Sequence, residues 1–378
     1  MARYFTGDVV PADSVGWIHR LRLLPGTAGV GVRGWVLDDY DDPQCCGVYG
    51  KEVTAMRIIE PSVELVGGNV GLFDRPKHVE LCGRVCYKSE SKITEDSAEK
   101  FIAGIIKRGH EAVLEHARIT LDLSNNRDTW RMLNQMCDYM QKRGVESYLR
   151  ITNWDSVYIA SGNVRAWRAL CRFMFHNGHF FPDSIKRMWA ENAPFFPEYF
   201  KEEPYIPDTI TDINPDKDIP TFEDPAQRMM HSWYTLRFIC DRGVSHEIVR
   251  HRPVSYCQES TRYCNYSKAD FGGEITVIEP FYLRDDIKSY NAWTRACQAA
   301  EQAYFDLLNS DRTAQEARCV LPTSLKTELV MTATADEWCH FLKLRTAEAA
   351  HSQMKEVATQ AREILRREDP EVFGGGQQ

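Results

Sequence analysis

VYIASGNVRAWRALCRFMFHNG, residues 157–178, changes character partway along. SVYIAS (156–161) reads as a strand, and NVRAWRALCRFMFHNG (163–178) as a helix closing on Asn-Gly. The same alternation runs outward on both sides. From Thr94, TEDSAEKFIAGIIKRGH predicts a helix with acidic residues at its start. Phe101, Ile105 and Ile106 share one face, and Lys107 and Arg108 near its end suit the helix dipole. ARITLDLS then alternates Ile119, Leu121 and Leu123 with Thr120 and Asp122, the pattern of a half-buried strand. Asn126 caps a further helix, with Trp130, Leu133, Cys137 and Met140 on one stripe and Gly144 ending it. WYTLRFIC (233–240) is another alternating strand. The last third reads as mostly helical, its longest piece being AEAAHSQMKEVATQAREILRRE. These alternations predict an α/β (α+β) fold, a mixed central sheet flanked by helices.

The ends and middle differ in kind. Residues 1–55 read as an N-terminal extension, with one strand-like run from Val30 to Leu37. It is either a small accessory module or a poorly ordered leader, and its composition favours the leader. MRIIEPSVELV, from Met56, reads like a natural start for a catalytic domain over 56–378. Residues 203–226 are proline-rich and acidic, as in a surface linker.

The 378 residues carry a formal charge of −8, with 43% hydrophobic and 26% charged residues. That is a soluble, globular composition, and its sign argues against a nucleic-acid polymer as partner. No apolar run approaches a membrane span, and no signal core opens the chain. The twelve cysteines show no metal spacing. A reduced, cytoplasmic protein without a metal is expected, or an equivalent compartment if the source is viral.

Two motifs carry chemistry. HEAVLEH (110–116) invites a zinc reading, but its histidines are six apart and fall on different helix faces. A helix end with solvated Glu and His is the plain alternative. RHRPVSYCQESTRY (250–263) sets three cations side by side after a predicted helix, GVSHEIV. Like charges so close repel unless an anion sits among them, and guanidinium suits phosphate or carboxylate. Ser255, Gln258, Ser260 and Arg262 add groups able to hold a nucleotide. A solvated turn bridged to Glu247 and Glu259 is the competing reading.

The second motif resembles the signature of flavin-dependent thymidylate synthases. GRVCYKS (83–89), GHEAVLEH (109–116), EARCVLP (316–322) and FLKLR (341–345) are similar to the family's other landmarks, in order. The resemblance covers roughly 56–120 and 232–370. It implies methylation of dUMP to dTMP with methylenetetrahydrofolate, FAD passing reducing equivalents from NADPH. It also implies a homotetramer with sites at subunit interfaces, and no cysteine nucleophile; Cys319 is read as core. By the same resemblance, Arg250, His251, Arg252, Gln258, Ala112, Glu115 and His340 meet FAD, with Cys86 in place of a serine that can touch it. Glu247, Arg250, Gln258, Glu259, Ser260, Thr261, Arg262 and Arg318 line the dUMP site. Arg345 binds the uracil edge, favours its ionised nitrogen and is the catalytic residue.

The chain departs from the family in two places. The family's flavin-binding Asn-x-Arg falls on Thr334 and Asp336, and an aspartate opposes an anionic flavin. Residues 121–231 interrupt the family's run as an insertion. Aligning Trp167 with Trp338 sets Asn163 on Thr334 and Arg165 on Asp336, so the insertion holds the missing Asn-x-Arg. Asn163 and Arg165 are therefore expected to bind flavin, against the alternative of chance similarity. Two rivals are a catalytically impaired nucleotide-binding member and an RNA-binding module; the net charge speaks against the second.

Overall fold

The computed structural model describes residues 56–66, 74–144, 148–154, 156–179, 181–199, 224–268 and 271–375. The extension at 1–55 and most of the 203–226 linker lie outside the described residues. Met56–Gln378 forms one compact unit.

Helices and three small sheets alternate along this unit. The helix from Thr94 is α2, Ser97–Lys107, preceded by α1, Arg75–Val85. Strand β3, Arg118–Asp122, is followed by α3, Arg127–Lys142. The Asn126 side chain accepts the Thr129 N–H as its cap, and Gly144, with φ of +71°, lies just past its end. Next come β4, Leu149–Trp154, β5, Val157–Asn163, α4, Val164–His176, and α5, Asp183–Glu191. The three strands pair antiparallel in the order β3-β5-β4. Thr120 is as buried as Ile119 and Leu121, so β3 is covered on both faces rather than one.

After the linker, α6, Pro225–His231, leads into β6, Trp233–Asp241, and α7, Arg242–Ile248. Strand β7, Ser255–Gln258, lies beside β9, Lys326–Thr334, which runs directly into α10, Ala335–Arg345. With β2, Ser62–Leu65, they form a four-stranded antiparallel sheet, β2-β6-β9-β7. Strands β1, Arg57–Ile59, and β8, Thr276–Ile278, make a short parallel pair.

Strand β9 lies inside the third expected to be mostly helical. Every residue from Thr327 to Thr334 is buried, so the stretch shows no alternation to reveal it. The longest helix is α8, Ile287–Asn309, and α11 starts only at Ser352 and ends at Glu368. Two large cores result. Trp167 sits fully buried in the first, among β3, β5, α4 and α5; Trp338 sits fully buried in the second, among β6, β9, α10 and α11.

The two strand-to-helix corners match. Val164 N–H donates to Ala117 O at 2.9 Å, and Trp167 Nε1 to Ile119 O at 3.1 Å. Ala335 N–H donates to Ser232 O at 3.0 Å, and Trp338 Nε1 to Tyr234 O at 3.0 Å.

Candidate active site

Helix α7 is started by Asp241, whose carboxylate accepts the Val244 N–H at 2.7 Å. It delivers Glu247 and then the Arg250-His251-Arg252 run. Arg345, the last residue of α10, meets this run from the other side. Its Nε donates to His251 Nε2 at 3.0 Å, one terminal nitrogen to Glu247 Oε2 at 2.7 Å, and the other to Glu247 O at 2.9 Å.

A guanidinium can donate to His251 only if that ring nitrogen carries no proton. Burial, then Arg345, His340 and Arg252, push the His251 pKa down to about 4. His251 is thus a neutral acceptor, not the third cation expected from its neighbours. The His340 ring stands edge-on to it at 5.8 Å. Arg252 folds back to donate to Val249 O and His251 O, both at 2.6 Å, while Arg250 is exposed and forms no ion pair among the described residues.

A second group gathers beyond β7, a strand whose four residues span about 13 Å. Arg318 donates to Thr261 Oγ1 at 3.3 Å, and Arg262 Nε to Gln315 Oε1 at 2.9 Å. Ser260 N–H donates to Cys86 O at 3.1 Å, tying the GRVCYKS segment to this end. The Cys86 thiol is half-buried and its pKa is lowered, chiefly by a hydrogen bond from Cys257. Tyr87 and the exposed Tyr263 pack ring to ring at 5.1 Å here; the sequence reading gave neither a role, though both lie in its quoted motifs.

Two expected substrate groups point elsewhere. The Glu259 carboxylate is buried, paired with Lys326 at 2.8 Å and accepting the Tyr266 hydroxyl at 3.3 Å. Gln258 donates to Ser245 Oγ at 2.9 Å and Thr327 Oγ1 at 3.2 Å. Cys319, read as core, is exposed.

HEAVLEH forms a 3₁₀ turn, Glu111–His116, lying between β7 and α4. Ala112 is exposed, while Glu115 pairs with Arg165 of α4 at 2.5 Å. His116 is buried rather than solvated, its Nδ1 bonded to Thr332 Oγ1 at 2.7 Å. Asn163 caps α4 through its side-chain oxygen, accepting the Ala166 N–H at 2.8 Å. Its counterpart Thr334 makes no side-chain cap bond, and Asp336 is held by Arg150 at 2.6 Å. Arg150 is a partner the sequence gave no reason to single out.

Comparison with known proteins agrees with this geometry. Residues 72–140 and 225–371, more than half the chain, match the family described as thymidylate synthase complementing protein. The chain is 33% identical over 119 residues to a flavin-dependent thymidylate synthase of Thermococcus onnurineus, covering 32% of this chain and 48% of the relative. It is 31% identical over 130 residues to that of Pyrococcus furiosus (34% and 52%), and 31% over 132 residues to that of Geobacter sulfurreducens (35% and 55%). The chain spans about half the length of the curated relatives it matches. With its signature, its late arginine and its 3₁₀ turn gathered around one strand, the chain belongs to the thymidylate synthase complementing protein family, that of the flavin-dependent thymidylate synthases.

Proposed function

We propose that this chain is a cytoplasmic methyltransferase that converts dUMP to dTMP, with methylenetetrahydrofolate as carbon donor, NADPH as reductant and FAD as cofactor, working as a homotetramer. The observation that carries the reading is the closure of Arg345 on His251 and Glu247, residues 94 and 98 positions away. Nothing in the core requires that closure, and its groups are the ones an anionic pyrimidine ring needs.

The chemistry of each group follows from its partners. Three of the Arg345 nitrogens are committed to Glu247 and His251, which fix the plane of the fork. Two of its five N–H bonds remain to meet the uracil edge and favour its ionised form. Glu247 and neutral His251 act as positioning groups. Thr261, Arg262 and Arg318, with the Ser260 hydroxyl, suit the nucleotide phosphate. Arg250, exposed and without an ion pair among the described residues, and Arg252 fit a bound anion, and they would hold FAD with Ala112, Glu115 and His340. FAD, when bound, supplies the path for reducing equivalents from NADPH to the transferred carbon.

The test is dTMP formation from dUMP with methylenetetrahydrofolate, NADPH and FAD all supplied. Turnover that needs each of them supports the reading. Tight dUMP binding without dTMP would instead establish the non-catalytic member of the family.

A further inference from the structure

The sheet β3-β5-β4 and the part β6-β9-β7 of the larger sheet correspond strand for strand. Each contains a strand, a helix, a strand and a central strand that turns into a helix at a buried tryptophan, with the same pairing order; in the second, β8 and α8 intervene between β7 and the central strand β9. The registers coincide. Arg118 faces Asn163 as Trp233 faces Thr334, and Arg150 faces Ser161 as Ser255 faces Thr332. The corner hydrogen bonds of Val164 and Trp167 recur at Ala335 and Trp338.

The correspondence is also reciprocal. His116 precedes β3 where His231 precedes β6. His116 Nδ1 bonds Thr332 Oγ1 of the second sheet at 2.7 Å, and His231 Nδ1 bonds Ser161 Oγ of the first at 2.7 Å. Ser161 and Thr332 are counterparts, so each half reaches into the same place in the other. Such an exchange defines a local two-fold relation. It accounts for one difference: His231 Nε2 meets Thr152 Oγ1 at 2.9 Å, whereas His116 Nε2 finds no side-chain partner, Cys257 standing where the other half has Thr152.

The two-fold relation places Arg165. Asp336 lies against Arg150; the counterparts of these two residues are Arg165 and Ser255. The relation thereby assigns Arg165 to the neighbourhood of Ser255, the residue closing Arg-His-Arg-Pro-Val-Ser. Its partner Glu115 sits in the turn packed on β7, in keeping with this. At the twin position these cations are replaced. In sequence, Val145, Glu146 and Ser147 take the places of Arg250, His251 and Arg252, and Thr334 and Asp336 those of Asn163 and Arg165.

We propose that residues 111–191 and 225–368 are two copies of one unit facing each other within a single chain. Together they build one anionic-cofactor site, Asn163 and Arg165 of the first copy acting beside Arg250–Arg252 of the second, while the twin site is closed by the Arg150–Asp336 pair. The stretch between the two family matches, 141–224, then holds β4, β5, α4 and α5 of the first copy. The proposal rests on the flavin reading above and specifies which half supplies each ligand and how many sites a chain holds.

FAD titration of the full chain, followed by flavin fluorescence and with thermal melting as a fold control, tests it. The wild type should bind one FAD per chain. Arg165→Asp, which copies the twin's residue at an exposed position, should weaken FAD at least ~10-fold, as expected for a lost charge-assisted contact. Asp336→Asn should leave affinity within ~2-fold, although it breaks the twin's ion pair. Two FAD per chain, or Arg165→Asp binding as tightly as wild type, overturns the two-copy site and leaves the flavin reading standing. A wild type that takes up no FAD overturns the flavin reading itself.

Discussion

The sheet packed on Trp167 and the part β6-β9-β7 of the sheet packed on Trp338 share strand order, register and corner hydrogen bonds, yet they carry opposite charge at one matching place, Arg165 and Asp336. One corner presents Asn163 and Arg165; the other presents Thr334 and Asp336, with the aspartate tied to Arg150. The buried part of each unit is constrained by packing, where a lost indole is costly. The outward positions Arg165, exposed, and Asp336, half-buried, carry less of that constraint, so their charge is set by what they face. At Arg165 that is the Glu115 carboxylate. At the twin it is a structural arginine.

The comparison is broken most forcefully at the tryptophans. Trp167→Ala and Trp338→Ala each empty a fully buried site and remove one indole hydrogen bond. Each should cost about 3–5 kcal/mol in denaturant unfolding. A loss well under ~1 kcal/mol for Trp167 alone would show that the first sheet is not a core of equal standing. Next is Arg345→Ala, which has no functional counterpart in the other half. It should lower the rate of dTMP formation ~100-fold or more, the order for removing one preorganised donor, while leaving folding intact. A rate within ~3-fold of wild type would remove Arg345 from the chemistry.

Acid sharpens the comparison further. Burial drives His116 and its twin His231 down to about 3, and His78 and His251 to about 4. All four lie below the unfolded value of 6.5, so the folded state prefers neutral rings. That stability is complete above pH 6.5 and fades as pH falls from 6.5 toward 4 and then 3. The carboxylates Glu111 and Glu328, held at about 2, give up theirs only as pH falls from 4.5 toward 2. Melting temperatures should therefore begin to drop near pH 6.5, before Glu111 and Glu328 titrate; Glu301, whose carboxyl burial pushes up to about 7, takes up its proton in the same range and offsets part of the histidine effect. NMR titration should find neither twin histidine protonated at pH 5, and a twin that titrates near 6.5 would contradict the shared burial. The smallest effect is at the caps. Asn163→Ala should cost about 1 kcal/mol and Thr334→Ala only a few tenths, since only Asn163 makes the side-chain bond. Equal costs would mean that the two corners are not built as observed.

What the sequence disclosed follows from what its local signals encode. Asn126 and Gly144 bracket α3, and Asn163 and the Asn177-Gly178 pair bracket α4, because caps and positive φ select particular residues. Strand β9 left no such mark, since burial on both faces erases alternation. The charge on His251 was misread because Arg345 approaches from a distant helix. Cys319 was misplaced because free cysteines are usually buried; Ala317, Val320 and Leu321 do pack into a core there, while Cys319 itself is exposed. The site residues came from the resemblance of one long signature and four shorter segments, whereas the alignment of Trp167 with Trp338 was the visible trace of the two matching units. The reciprocal histidine bonds had no sequence signature, because a Ser and a Thr serve the same role.

The most direct measurement is the visible absorbance spectrum of the purified chain, read against protein concentration and repeated after anaerobic addition of NADPH. The account predicts a yellow protein with one flavin per chain that bleaches on reduction. A chain that stays colourless with FAD supplied, or a flavin band that NADPH never bleaches, would contradict it.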